Sequence, residues 1–304
     1  MSKFFKRNVF MRRCLAAVMC AALLIVFTPG AYALDPEELR ARDDGGQAEA
    51  YAAGETRATS PAVVINGIDY SGKTFLYNST TYVGIREYSM FMGADSVDWN
   101  PDSKTATVSA DELTLRAKHL NTYVEAGGRY LWARDGVIIV SGTMYVPIRV
   151  IAKAFGCSVG WESSTRTAYV TSDTEFVSAE KFYNGDDLYW LSRIINAEAG
   201  NEPLYGKIAV GSVVMNRVSS SMFPQSIYGV IFDMSSGVQF TPAANGTVYN
   251  TPNEESVIAA KLCLEGASVS DSILFFMNGR LAESSWISDN RPYVMTIGNH
   301  DFFS

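Results

Sequence analysis

Apolar and polar positions follow four different rules along the 304 residues. Residues 15–27 are aliphatic except for Cys20, a solid run too short for an ordinary membrane span. Residues 34–61 show no apolar period and are rich in Ala, Glu, Asp, Arg and Gly, which predicts a flexible tether. Residues 62–173 carry short apolar runs broken by turn residues, the spacing of strands. From residue 186 onward helical spacing dominates.

The strand-like region contains an internal repeat. Its first copy reads Thr81-Tyr82-Val83-Gly84-Ile85-Arg86, then Phe91-Met92-Gly93-Ala94, then Val97-Asp98-Trp99. The second reads Met144-Tyr145-Val146-Pro147-Ile148-Arg149, then Ala154-Phe155-Gly156-Cys157, then Val159-Gly160-Trp161. The offset is 63 residues up to Gly93 and 62 from Val97 onward. Each copy predicts strand, short helix, strand, turn, strand, with turns at 100–103 and 162–165. Asp98, Asn100 and Asp102 imitate half a calcium loop, but the glycine and the closing glutamate of such a loop are missing, so a β-turn is expected. Cys157 stands where the first copy has Ala94 and reads as a small core residue.

In the helical region, Asp186 or Asp187 can cap a helix that reaches about Ala199 and stops at Gly200. At roughly 100° per residue, Leu188, Leu191, Ile194 and Ile195 share one face. Glu198 falls on that face between Leu191 and Ile194. A glutamate at the end of an apolar stripe should be partly desolvated, which raises its pKa and suits a general acid. The other possibility is that the helix frays first and leaves Glu198 in water. Pro203 opens a second helix that runs to Arg217-Val218, and residues 226–232 form a short apolar element. Thr251-Pro252-Asn253-Glu254 has a capping-box layout for a helix reaching about Glu265, with Cys263 in its core. Residues 273–277 and 294–297 read as strands.

Composition adds a compartment and removes some partners. Lys3, Lys6, Arg7, Arg12 and Arg13 precede the aliphatic run, and Ala31-Tyr32-Ala33 follows it. This is the layout of a secretory signal peptide cleaved after Ala33, giving a secreted or wall-associated protein. Residues 1–33 hold five Lys/Arg and no Asp/Glu, so their removal leaves 20 basic and 32 acidic side chains, a net charge of −12. Such a surface argues against nucleic acid as a ligand. Only Cys157 and Cys263 remain after cleavage, so no disulfide framework is implied. His119 and His300 are too few for a zinc site of the usual kind, and neither metal nor cofactor is expected.

Two resemblances follow from these motifs. Residues 62–173, through Val146-Pro147-Ile148-Arg149 and Trp161, resemble the stalk-type copper amine oxidase N-terminal-like domain, with Gly84 departing from the usual proline. That implies a surface spacer able to meet wall polymers or surface proteins, and no copper. Asn196-Ala197-Glu198-Ala199-Gly200, the 206–218 segment ending Asn216-Arg217-Val218, Gln239-Phe240-Thr241 and Ile297-Gly298-Asn299-His300-Asp301-Phe302 resemble the cell wall hydrolase family of spore-cortex-lytic enzymes (SleB-like). Thr241 replaces the family's serine. The resemblance covers residues 186–304.

The resemblances imply an α+β chain: a two-repeat stalk-type domain, a bridge at 174–185, then a small, mainly helical, lysozyme-like catalytic domain at 186–304. They imply cleavage of the glycosidic bond between N-acetylmuramic acid (MurNAc) and N-acetylglucosamine (GlcNAc) in peptidoglycan glycan strands, in cell wall remodelling or spore germination. Glu198 matches the catalytic acid, and Gln239, Phe240, Thr241 and His300 are assigned to substrate binding, with bracing of the fold as the alternative for His300. No second carboxylate stands out, although glycosidases ordinarily use two. This favours a lytic transglycosylase, in which Glu198 acts first as acid and then as base. A non-catalytic peptidoglycan-binding surface protein remains open. A thiol hydrolase built on Cys263 and His300 lacks an orienting third residue.

Overall fold

A computed structural model of the chain describes residues 60–304 apart from 236 and 280–284. The expected signal peptide lies outside the described residues, as does all but the end of the expected tether.

The first part is built from β1 (Ala62–Ile65), β2 (Ile68–Asp69), β3 (Thr74–Tyr77), β4 (Thr80–Gly84), α1 (Ile85–Phe91), β5 (Ser96–Asn100), β6 (Thr105–Ala110), β7 (Leu113–Lys118), β8 (Tyr123–Ala126), β9 (Arg129–Trp132), β10 (Ile138–Val140), β11 (Thr143–Pro147), α2 (Ile148–Ala154), β12 (Cys157–Glu162) and β13 (Thr167–Ser172). The expected strand–helix–strand–strand order appears twice, as β4-α1-β5-β6 and β11-α2-β12-β13. The copies meet through β4 and β11, which pair antiparallel with Val83 opposite Val146. These two valines are equivalent in the repeat, so a local two-fold axis passes through their pair.

Three sheets result: β5-β6-β7-β8-β9, β10-β11-β4-β3 and β12-β13-β1-β2. Strand β1 runs parallel to β13, Ala62 opposite Thr167 and Ile65 opposite Val170. Asn66 extends the pairing, its side chain exchanging two hydrogen bonds of 2.9 Å with Ser172. Buried and exposed residues alternate strictly along β7, the sign of a half-wet strand.

The departure at Gly84 has a local reason. Its N–H donates to the Lys73 carbonyl at 3.1 Å, and a proline has no N–H to give. Both expected turns form. Asn100 Oδ1 accepts from the backbone of Asp102 and Ser103, and Glu162 Oε1 accepts from the backbone and hydroxyl of Ser164. Cys157 is buried in the core, where desolvation raises its thiol pKa.

The second part contains α3 (Ala179–Phe182), α4 (Gly185–Ala199), α5 (Leu204–Ser219), α6 (Ile227–Ile231), α7 (Thr241–Asn245), a 3-10 turn (Thr247–Tyr249), α8 (Glu254–Leu264), β14 (Phe275–Met277), α9 (Trp286–Asn290), β15 (Tyr293–Ile297) and β16 (His300–Phe303). Helices α4, α5 and α8 enclose a core of Leu191, Ile194, Ile195, Val210, Val213, Val214, Leu262 and Cys263. The sheet β14-β16-β15 closes one side. Gly211 marks the close approach of α5 to α8: a Cβ there would lie 2.5 Å from Cys263 Sγ.

Two caps differ from expectation. Asn184, not Asp186 or Asp187, caps α4, accepting from both aspartate N–H groups at 2.9 and 3.1 Å. The aspartates instead occupy the first turn, where a negative charge favours the helix dipole. Asn253, not Thr251, caps α8 and accepts from Ser256 N at 2.8 Å. Asparagine is the stronger cap, and Pro252 stays outside the helix.

The two parts join through a polar cluster around Glu265, just past α8. Its side chain is 1% exposed and receives Arg129 through Nε at 2.6 Å and Nη2 at 2.8 Å. Lys153 Nζ lies 2.8 Å from Oε2. The Tyr183 hydroxyl donates to Oε1 at 3.3 Å, and Lys261 donates to the Gly128 carbonyl at 3.0 Å. Burial would raise the Glu265 carboxyl, but hydrogen bonds and charge from Arg129 and Lys153 outweigh it and hold it below its ordinary range. Residues 174–185, expected as a bridge, carry α3. They are held by Tyr183 here and by Phe176, which packs on the first core.

Candidate active site

A cleft of about 1360 Å³ opens between the end of α4, the start of α7 and the β14-β16-β15 sheet. Leu191, Ile194 and Ile195 are fully buried, as the helical spacing requires. Glu198, one turn beyond Ile194, is half-buried and lines the cleft. Desolvation raises its pKa from an ordinary 4.5 to about 7. Among the described residues no hydrogen bond reaches its carboxyl. It is therefore substantially protonated near neutral pH.

The helix does not fray before Glu198, because α8 clamps its end. Asn253 Nδ2 donates to the Gly200 carbonyl at 3.1 Å. Asn196 Oδ1 accepts from Asn253 N at 3.0 Å and from the Ser256 hydroxyl at 3.3 Å. The helix ends with Gly200 in the right-handed conformation rather than through a left-handed cap, and a Cβ there would sit 2.5 Å from the Asn196 carbonyl.

Glu202 and Asp233 are the other carboxylates among the described residues of the cleft wall. Glu202 is buried and accepts from Asn299 through Nδ2 at 2.7 Å and the backbone at 3.3 Å. Gly298 makes that approach feasible: its φ is +57°, and a Cβ would lie 1.9 Å from Glu202 Oε2. Lys207 is also buried, donating to Glu255 at 2.6 Å and to the Glu202 carbonyl. Hydrogen bonds from Ser235 lower the Asp233 carboxyl and keep it ionised.

Four residues were assigned to substrate binding. Gln239, Thr241 and His300 line the cleft. Gln239 is partly committed, since Oε1 accepts from Arg217 and Nε2 donates to the Gly237 carbonyl, both at 3.3 Å. Thr241 is exposed at the start of α7, a helix the sequence reading missed. His300 is 6% exposed, and its Nδ1 has no hydrogen bond, lying 4.0 Å from Glu202. Burial lowers its pKa against the opposing charges of Glu202 and Asp301, so the imidazole is neutral near pH 7. Phe240 is the exception. It is 2% exposed and packs behind the wall within 5.2 Å of the Arg217 guanidinium, so it supports the cleft rather than lining it. The thiol alternative also fails. Cys263 is buried away from the cleft, its pKa pushed up to about 12, so no thiolate is available.

Residues 201–303 match the family described as Cell Wall Hydrolase. The C-terminal domain belongs to the cell wall hydrolase family. Residues 64–170 match the Copper amine oxidase N-terminal domain, so the two-repeat region is a stalk-type domain of that kind. The cell wall hydrolase domain is similar to the spore cortex-lytic enzyme of Bacillus subtilis, 35% identical over 120 residues that make up 40% of this chain and 38% of that protein. It is similar also to the spore cortex-lytic enzyme of Oceanobacillus iheyensis, 33% identical over 43% of this chain and 46% of that one. The chain thus spans less than half the length of these curated relatives. A solved structure, the catalytic domain of the germination-specific lytic transglycosylase SleB from Bacillus anthracis, is 34% identical over 40% of this chain and 97% of its own, with a TM-score of 0.36. The family span opens at Asn201, just past Glu198, so the role of Glu198 rests on the geometry of the cleft.

Two cleft residues escaped the sequence reading. Arg217 is 4% exposed, donates from Nε to the Leu274 carbonyl at 2.7 Å, and lies over the rings of Phe223, Phe240 and Phe275. Burial lowers its pKa to about 10. Arg291 lies 4.4 Å from the Phe275 centroid and 5.4 Å from that of Trp286. A signal existed for Arg217. It continues the apolar stripe of Val210, Val213 and Val214, an anomaly of the same kind as Glu198.

Proposed function

We propose that this chain is an exported peptidoglycan-degrading enzyme that cleaves the MurNAc–GlcNAc bond of cell wall or spore cortex as a lytic transglycosylase. The observation that carries the reading is Glu198, a carboxyl that stays protonated to about pH 7 on the wall of a long cleft in a cell wall hydrolase domain. Glu198 gives its proton to the glycosidic oxygen as the bond from C1 of MurNAc breaks. The C6 hydroxyl of the same sugar then attacks C1, and its proton returns to Glu198. The product is a 1,6-anhydro end, with no net gain or loss of protons. Glu202 is engaged with Asn299, which favours a single working acid. Gln239 and Thr241 face the substrate, and the stalk-type domain holds the catalytic domain at the wall.

Digestion of purified peptidoglycan, followed by mass spectrometry of the glycan ends, tests the reading. Anhydro ends are expected, and Glu198→Gln should lower the rate by on the order of 10²–10⁴. Reducing ends that disappear in Asp233→Asn would replace the transglycosylase with a two-carboxylate hydrolase. Undiminished cleavage by Glu198→Gln would refute the assignment altogether.

A further inference from the structure

We infer that the cleft reads a carboxylate on the muramyl side of its substrate, through Arg217 and Arg291. This rests on the reading of the cleft as a glycan site. Among the described residues the other buried cations, Arg129 and Lys207, are matched with acids. Arg129 and Lys153 meet Glu265, and Lys207 meets Glu255. The two cleft arginines are not. Among the described residues no carboxylate lies within ion-pair distance of either. Arg217 spends Nε and Nη1 on neutral acceptors, the Leu274 carbonyl and Gln239. Arg291 Nε is buried with no hydrogen-bond partner. Both guanidiniums lie against Phe275, at 5.2 and 4.4 Å from its centroid, and both line the cleft. Aromatic faces offset part of the cost of such charges, but the buried Arg217 guanidinium with no carboxylate in contact remains unfavourable. Asp233 lines the same cleft and acts on Arg217 through space, but among the described residues neither it nor any other carboxylate touches a guanidinium there.

The two sugars of a peptidoglycan strand differ in this respect. GlcNAc carries no acid. MurNAc carries a lactyl ether whose carboxyl is either free or extended by a stem peptide with carboxylates of its own. A planar guanidinium binds a carboxylate through two parallel hydrogen bonds. Because the strand alternates, seating the acidic sugar at the arginines fixes which of the two kinds of glycosidic bond arrives at Glu198. The arginines therefore set the register of cleavage and take no part in the bond-breaking step.

Calorimetric titration of the full chain carrying Glu198→Gln, which binds without cleaving, tests the inference. Three tetrasaccharides of alternating GlcNAc and MurNAc are compared: one with free lactyl carboxylates, one with those carboxylates as methyl esters, and one bearing stem peptides. The free acid should bind at least about tenfold more tightly than the ester, the ordinary worth of a charge-assisted hydrogen bond. Adding Arg291→Gln should bring that ratio close to one, while an unchanged circular dichroism spectrum and melting temperature show that the variant is folded. Arg291→Lys should keep part of the preference. A gain confined to the peptide-bearing ligand would place the carboxylate on the stem. Equal binding of acid and ester, or a preference that survives Arg291→Gln, overturns the inference. Failure of every ligand to bind removes the glycan-cleft reading itself.

Discussion

The cleft and the domain junction each take a glutamate out of water, and the two glutamates titrate in opposite directions. Glu198 has only desolvation acting on it, and its carboxyl rises to about 7. The Glu265 side chain is only 1% exposed, yet Arg129 and Lys153 hold its carboxyl below the ordinary range. Burial is therefore not what distinguishes an acid ready to give up a proton from a permanent anion. The company of the carboxylate decides. At the junction the charge is fixed and ties two domains together. In the cleft no described residue pairs with the Glu198 carboxyl, which keeps a proton available.

The largest expected effect that would break this contrast is at the junction. Glu265→Gln leaves Arg129 buried beside a neutral amide and should cost about 3–5 kcal/mol, read by denaturant unfolding of the full chain. A loss under about 1 kcal/mol would mean that the cluster contributes little to docking. Glu198→Gln should act with the opposite sign. Below pH 4.5 the folded and unfolded chains both hold the proton, and the substitution should be nearly neutral. Between 4.5 and about 7 the unfolded chain releases a proton that the folded chain keeps, so wild-type stability falls as pH rises. Above pH 7 the whole penalty is present, and Glu198→Gln should stabilise by about 3 kcal/mol. Equal melting temperatures of the two proteins at pH 8 would contradict the raised pKa. The same titration predicts that the rate of wall digestion declines above about pH 7. The smallest effect is at Lys153, whose side chain is 42% exposed. Lys153→Met should cost only about 0.2–1 kcal/mol, less in high salt, and a larger loss would promote Lys153 to equal partner with Arg129.

The sequence made the stalk-type repeat legible because agreement at a spacing of 62–63 residues repeats the same strand–helix–strand order twice. The position of Glu198 on an apolar stripe was legible from helical spacing alone. Its neutrality was not, since that depends on what the rest of the chain declines to place beside it. The caps were misread for a simpler reason. Aspartates and asparagines stand next to one another at 184–187, and only the fold decides which side chain turns back on the backbone. Gln239-Phe240-Thr241 looked like one binding segment, but neighbouring side chains point different ways, and Phe240 went into the core. The junction left no periodic mark, because Arg129 and Glu265 are brought together from different domains and distant parts of the chain.

The parallel pairing of β1 with β13 has a mechanical consequence. The stalk-type domain begins at one end of β1 and leaves from the opposite end of β13. A pull between a segment before Ala62 and the catalytic domain therefore drags these two neighbours past each other along their length. Every bond from the Ala62–Thr167 pair to the Asn66–Ser172 exchange shares that load at once, as in shear, instead of giving way one after another. A domain built this way resists tension best along the line from the start of β1 to the end of β13.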